Sequence, residues 1–164
     1  MNDAGFGTLL FDLLTAGEEL LDRATGELRF DCELLAGRLS DATAWLGEQG
    51  AAKGLPIGYF GASTGAGAAL MAAAARPGEI KAVVSRGGRP DLAGPALPRV
   101  KAPTRLIVGG RDNIVIVLNR RALAQLACEK DLQLVPGATH LFEEPGTLEL
   151  AARLSADWFE KYLK

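Results

Sequence analysis

The chain has 164 residues, of which 48% are hydrophobic and 23% charged, with 20 glycines and a formal net charge of −2. That length suits one domain, residues 1–164, burying about 68–70% of its unfolded surface with no need of disulfide or metal support. Interspersed acidic and basic residues exclude the basic footprint of a nucleic-acid binder and a polybasic membrane patch, which leaves a small molecule as the expected partner.

The opening stretch "MNDAGFGTLLFDLLT" has no cationic start, and its apolar run is too short for a signal peptide or a membrane span, so a cytoplasmic protein is expected. "GTLLFDLL", Gly7 to Leu14, is the first predicted strand. A helix is predicted from about Arg29 to Gln49, because Phe30, Leu34, Leu35, Leu39, Ala42, Trp45 and Leu46 recur at steps of three and four. Gly50 stops it. "LPIGYFG" (Leu55 to Gly61) reads as the second strand, and the residues from Thr64 to about Ala75 as a helix closed by Pro77 and Gly78.

"IKAVVSRGG" (Ile80 to Gly88) and "APTRLIVGG" (Ala102 to Gly110) are the third and fourth predicted strands. The prolines of the intervening "RPDLAGPALPRVK" allow at most a broken helix or a loop. "IVLNRRALAQLACEK" follows as a helix, "DLQLVPG" as the fifth strand and "TLELAARLSADWFEKYL" as a closing amphipathic helix. Short apolar runs alternating with longer amphipathic ones predict an α/β fold, with a mainly parallel sheet of about five strands joined by crossover helices. Cys32 and Cys128 lie far apart with no C-x-x-C pattern or neighbouring histidine, so both are read as buried thiols and no metal or cofactor is expected.

Ligands of open parallel sheets bind at the carboxyl ends of the strands, and there "YFGASTGAG" places Gly61-Ala62-Ser63-Thr64-Gly65, a match to G-x-S-x-G. The match is short, but its context fits. A nucleophile elbow needs a strand before the serine and a helix after it, so that the hydroxyl stands exposed on a sharp turn. Close packing of that turn would explain the two flanking glycines alike. The plainer role for Ser63 is a helix N-cap.

A serine nucleophile needs a general base, and the base needs an acid to orient it. His140 is the single histidine, in "VPGATHLFEEPG" after the last predicted strand. Asp112 follows the fourth strand in "LIVGGRDNIV", where helix capping is the alternative role; Asp91, Glu143 and Glu144 are rival acids, and Asp12 reads as structural. The order Ser, Asp, His, with a strand between successive members, is that of one particular hydrolase architecture.

These segments carry a resemblance. From "GFGTLLFDLLT" through "GYFGASTGAGAAL", "AVVSRGGRPDLAG", "IVGGRD" and "VPGATHLFEEPG" to "WFEKYL", the chain resembles the later part of an α/β-hydrolase of the dienelactone hydrolase-like group. The resemblance implies a compact three-layer sandwich without a lid domain, a Ser63–Asp112–His140 triad and carboxylesterase-type cleavage of small or short-chain esters. Dienelactone hydrolases themselves carry cysteine where this chain has Ser63.

The resemblance also implies an N-terminally shortened form, in which strands that precede the elbow in the family are missing together with a loop that supplies one oxyanion donor. Thr64 N–H remains as one donor. The first predicted strand is then expected to pair directly with Ile57 to Gly61 and bring the amide of Leu13 or Leu14 beside Ser63 as the second. A missing covering helix would leave an apolar face exposed, for which a homodimer is the natural remedy. The competing expectation is a catalytically impaired domain, kept as an interaction module or completed by a partner subunit.

Overall fold

The computed structural model describes residues 1–164 and contains four parallel strands in sequential order. The strands are β1 (Ile57–Ala62), β2 (Ile80–Arg86), β3 (Thr104–Gly109) and β4 (Lys130–Val135). Helices α1 (Ala16–Thr25) and α2 (Cys32–Glu48) precede the sheet, α3 (Thr64–Ala75) joins β1 to β2, α4 (Asn113–Gln125) joins β3 to β4, and α5 (Thr147–Leu163) closes the chain. The proline-rich connection from Pro90 to Arg99 forms two 3₁₀ segments kinked at Gly94. Parallel strands require crossovers, which by handedness all fall on one face when strand order is sequential.

That face carries the larger core. Leu35 and Ala36 of α2, the alanine-rich side of α3, Leu97 of the 3₁₀ connection and Ala122 of α4 pack against Tyr59 and Val83 of the sheet. Successive strand residues point to opposite faces, so Ala82 and Val84 turn the other way, towards Ala151, Trp158 and Phe159 of α5. Polar ties lock the layers: Tyr59 OH meets Thr43 Oγ1 of α2 at 2.7 Å, and Arg105 on β3 stacks 4.5 Å from the Trp158 ring while donating to Asp131 Oδ2 and to Leu154 O, each at 2.8 Å.

One expected element does not form. Gly7 to Asp12 has no regular secondary structure, so β1 is an outer strand paired only with β2, and the predicted first strand does not lie beside it. Phe6 packs on Phe159 at 6.2 Å on the α5 side, whereas Leu13 and Leu14 pack on the opposite core. Six extended residues reach at most about 20 Å, roughly two 10 Å layer spacings. A segment that must pass from layer to layer in that distance runs across the sheet edge and cannot hold a ladder along it.

The helix expected from Arg29 begins at Cys32, where Asp31 accepts the Leu34 N–H as its N-cap. Helix α1 lies outside the predicted elements; Thr15 and Glu18 close its first turn in a capping box. Cys32 is buried and Cys128 half-buried, both as free thiols.

Candidate active site

The loops that follow β1, β3 and β4 carry Ser63, Asp112 and His140, and in a parallel sheet those loops share one rim. Ser63 has φ 48° and ψ −126°, a backbone conformation that L-residues seldom adopt and that marks a sharp strand-to-helix turn. Its side chain is exposed and makes no capping bond to α3, which removes the N-cap role. The turn is tight on one side only. A β-carbon on Gly61 would meet Gly65 O at 2.5 Å and Ala66 Cα at 2.6 Å, whereas one on Gly65 would meet nothing within 4 Å.

His140 Nδ1 lies 2.7 Å from Asp112 Oδ2. The imidazole is 42% exposed and the carboxylate 14%, so the pair sits at the mouth of the site with its acidic partner inside. A carboxylate can only accept, which places the proton on Nδ1 and leaves Nε2 as the basic lone pair. Asp112 also fills its alternative role: its Oδ1 caps α4 by accepting the Val115 N–H at 3.4 Å. The rival acids are engaged elsewhere or remote, with Asp91 bonded to Arg89 at 2.8 Å and Glu144 accepting the Thr139 N–H through both oxygens, at 3.0 and 3.2 Å. Glu143 is exposed and makes no ion pair with His140.

Three contacts bend the His140 loop back over the strand tips towards β1. Gly110 N–H donates to Val135 O and Arg111 N–H to Ala138 O. Gly109 leaves no room for a β-carbon beside the Thr139 and Ala138 carbonyls. Phe142, at φ 60° and only 2% exposed, plugs the far end of the loop into the core beside α5, with Arg86 lying 5.4 Å over its ring. Glu144 is held below the usual carboxylate range, first by the Thr139 N–H and then by the Thr139 hydroxyl. The imidazole thereby reaches the end of β2: a β-carbon on Gly87 would lie 3.9 Å from His140 Cε1. Ser63 and His140 are not hydrogen-bonded to each other.

Thr64 lines a cavity of about 360 Å³ together with Asp12, Leu13, Leu14, Glu19, Arg29 and Leu35. Without the expected strand pairing, the loop after Asp12 still arrives beside the elbow. The Leu14 N–H makes no backbone hydrogen bond, while the Leu13 carbonyl accepts from Arg38 at 3.1 Å. Arg29 is aimed by Asp22, a carboxyl that burial would raise but that the Arg29 backbone and guanidinium bonds hold below its ordinary value. No group of three or more His, Cys, Asp or Glu side chains is arranged to hold a metal ion. No helix is long and apolar enough to cross a membrane.

Sequence reasoning missed the contribution of Gly87, Gly88 and Arg89, whose turn lies between Ser63 and His140. The glycine pair in "SRGGRP" was a visible signal, but it reads equally as loop punctuation.

A parallel sheet crossed by helices, with a strained serine turn and an Asp–His pair at its carboxyl rim, defines an α/β-hydrolase. The dienelactone hydrolase family matches residues 3–163, and the chain belongs to that family. It is 58% identical to a dienelactone hydrolase from Anabaena variabilis, whose crystal structure it matches with a TM-score of 0.96, covering 99% of this chain and 76% of that one. A dienelactone hydrolase-like promiscuous phosphotriesterase from metagenomic libraries matches over 99% of this chain and 77% of its own at 17% identity, with a TM-score of 0.69, and shows the fold alone. A Mycobacterium tuberculosis protein, named provisionally as a phosphoribosyl transferase, is 61% identical over 163 residues. The match takes in 99% of this chain but only 36% of that protein, so the chain spans about a third of the length of this curated relative.

Proposed function

We propose that this protein is a serine hydrolase of the carboxylesterase type, cleaving small or short-chain esters through an acyl-enzyme on Ser63. The observation that carries the reading is the unbonded Ser63 hydroxyl on its strained turn, at the same rim as the 2.7 Å Asp112–His140 bond. Ser63 Oγ attacks the ester carbonyl while His140 Nε2 accepts its proton, and Asp112 steadies the resulting imidazolium through Nδ1. The imidazolium then protonates the leaving alkoxide, which departs as the alcohol. Water, deprotonated by the same nitrogen, attacks the acyl-enzyme, and the acid leaves as Ser63 recovers its proton.

The oxyanion of each tetrahedral intermediate falls to the Thr64 N–H, which as the first helical amide has no intrahelical acceptor. Leu14 N–H is the candidate second donor, since both residues line the 360 Å³ cavity. Removing one such donor typically costs about 10²–10³ in kcat, so the position of Leu14 matters to the rate. The transferase name of the mycobacterial relative does not compete directly, because about two thirds of that protein has no counterpart here.

A second reading keeps the fold but not the activity: a domain that needs further polypeptide to complete its site. The same partial coverage of longer relatives favours it. Hydrolysis of p-nitrophenyl acetate, measured beside Ser63→Ala with fluorophosphonate labelling of the serine, separates the two. The esterase reading expects labelling at Ser63 and a loss of at least about 10³-fold in kcat in the variant. Equal rates for the two proteins would remove it.

A further inference from the structure

The hydrogen bonds behind Ser63 single out a buried amide that the proposed chemistry does not use. Asn119 is wholly buried on α4. Its Nδ2 donates to Val115 O within the helix at 2.8 Å and to Gly88 O, on the loop after β2, at 3.0 Å. Its Oδ1 has no partner. An apolar side chain of the same shape would avoid that unpaired oxygen at no loss of packing. What asparagine adds over leucine here is the bond to Gly88.

Gly88 is the middle of three residues that touch both the serine elbow and the histidine loop. A β-carbon on Gly87 would lie 3.1 Å from the His140 carbonyl oxygen. Gly88 is wedged against Ser85 Oγ, and its own β-carbon would come within 2.5 Å of Ala66 Cβ in the first turn of α3. Arg89 N–H donates to the Ser63 carbonyl at 2.9 Å. The turn therefore brackets the elbow on one side and the imidazole on the other. Asp112 caps α4, which carries Asn119 two turns later, so one rigid element orients His140 directly and the bracket through Gly88.

We infer that Asn119 is a positioning residue, holding the Gly87–Arg89 turn through Gly88 so that the Ser63 hydroxyl and the His140 imidazole keep their relative placement. The kinetic consequence rests on the esterase reading; the placement itself does not. A displacement near 1 Å can cost about 100-fold in rate.

The test compares wild type with Asn119→Leu, with Asn119→Met, whose thioether cannot donate to a carbonyl, and with Ser155→Ala. The last removes a buried hydroxyl on α5 bonded only to Ala151 O and serves as a control for lost stability. Thermal melting, kcat and KM on p-nitrophenyl acetate, fluorophosphonate labelling rate and the imidazole NMR resonances are measured for each. One histidine in the chain makes the last signal unambiguous. Asn119→Leu should lower kcat and labelling together by about 10- to 100-fold with KM within about twofold, and should move the imidazole resonances. Asn119→Met should do the same, and Ser155→Ala should change melting alone.

Unchanged kcat, labelling and resonances in a folded Asn119 variant, or a rise in KM alone, would overturn the assignment. Should wild type neither hydrolyse nor label, the esterase reading falls and the NMR arm decides. Resonances moved by the Asn119 variants but not by Ser155→Ala keep the positioning role, and unmoved resonances end it.

Discussion

At the scale of single residues, the two glycines of the G-x-S-x-G match are chemically identical and physically different. Gly61 faces the backbone of Gly65 and Ala66, whereas Gly65 faces open space at an ordinary helical φ. Gly61→Ala should therefore destabilise the protein by roughly 1–3 kcal/mol or more, as overpacking against immovable backbone does. Gly65→Ala should be neutral or stabilising by about 0.4–1 kcal/mol, because alanine restricts the unfolded chain without strain. Urea denaturation of both variants checks the contrast, and equal losses would contradict it. The motif was legible in the sequence; the asymmetry was not, because it depends on which neighbour fills the space beside each Cα.

At the scale of elements, the local pattern located the helix from Thr64 to Ala75, closed by Pro77 and Gly78, and the closing helix from Thr147 to Leu163, marked by its amphipathic spacing, at their observed bounds. It failed at Gly7 to Leu14, where Leu9, Leu10 and Phe11 form an apolar run without alternation, and Leu10 is 96% exposed. A strand exists only with a ladder partner, and this run is committed to crossing between layers. The loop after β4 shows the reverse case, an irregular segment fixed by tertiary contacts. Glu144 titrates below 4.5 in the folded state because the Thr139 N–H and hydroxyl favour its charged form. Its contribution is thus complete above the unfolded value near pH 4.5 and is lost as pH falls through the folded one. Wild type should exceed Glu144→Gln in stability at pH 7, with the gap closing below about pH 4.5. A gap that stays constant down to pH 3 in urea titrations would exclude this clasp.

At the scale of the whole molecule, the two faces of the sheet are unequally covered. The crossover face holds α2, α3 and α4, while the other holds α5 with Met1 and Phe6 at its margin. Leu10, Leu20, Leu21 and Leu55 are all more than half exposed, at 96, 71, 56 and 61%. Single exposed leucines are ordinary, but several in the residues preceding an outer strand paired on one side only favour self-association. Sedimentation at micromolar concentration should show a homodimer that Leu10→Glu weakens; a monomer under those conditions would rule it out.

The sequence by itself determined the alternation of parallel strands and crossover helices, the G-x-S-x-G turn and the order of Ser63, Asp112 and His140, because periodicity and turn chemistry are local properties. The meeting of Asp112 with His140 also required Gly109, at the end of β3, to admit the returning loop, and the bracket from Asn119 to Ser63 joins three elements distant in sequence. Those contacts, like the unpaired outer edge of β1, arise from how layers pack. A linear pattern does not record that, since the same residues could occupy the same elements in more than one register and cover.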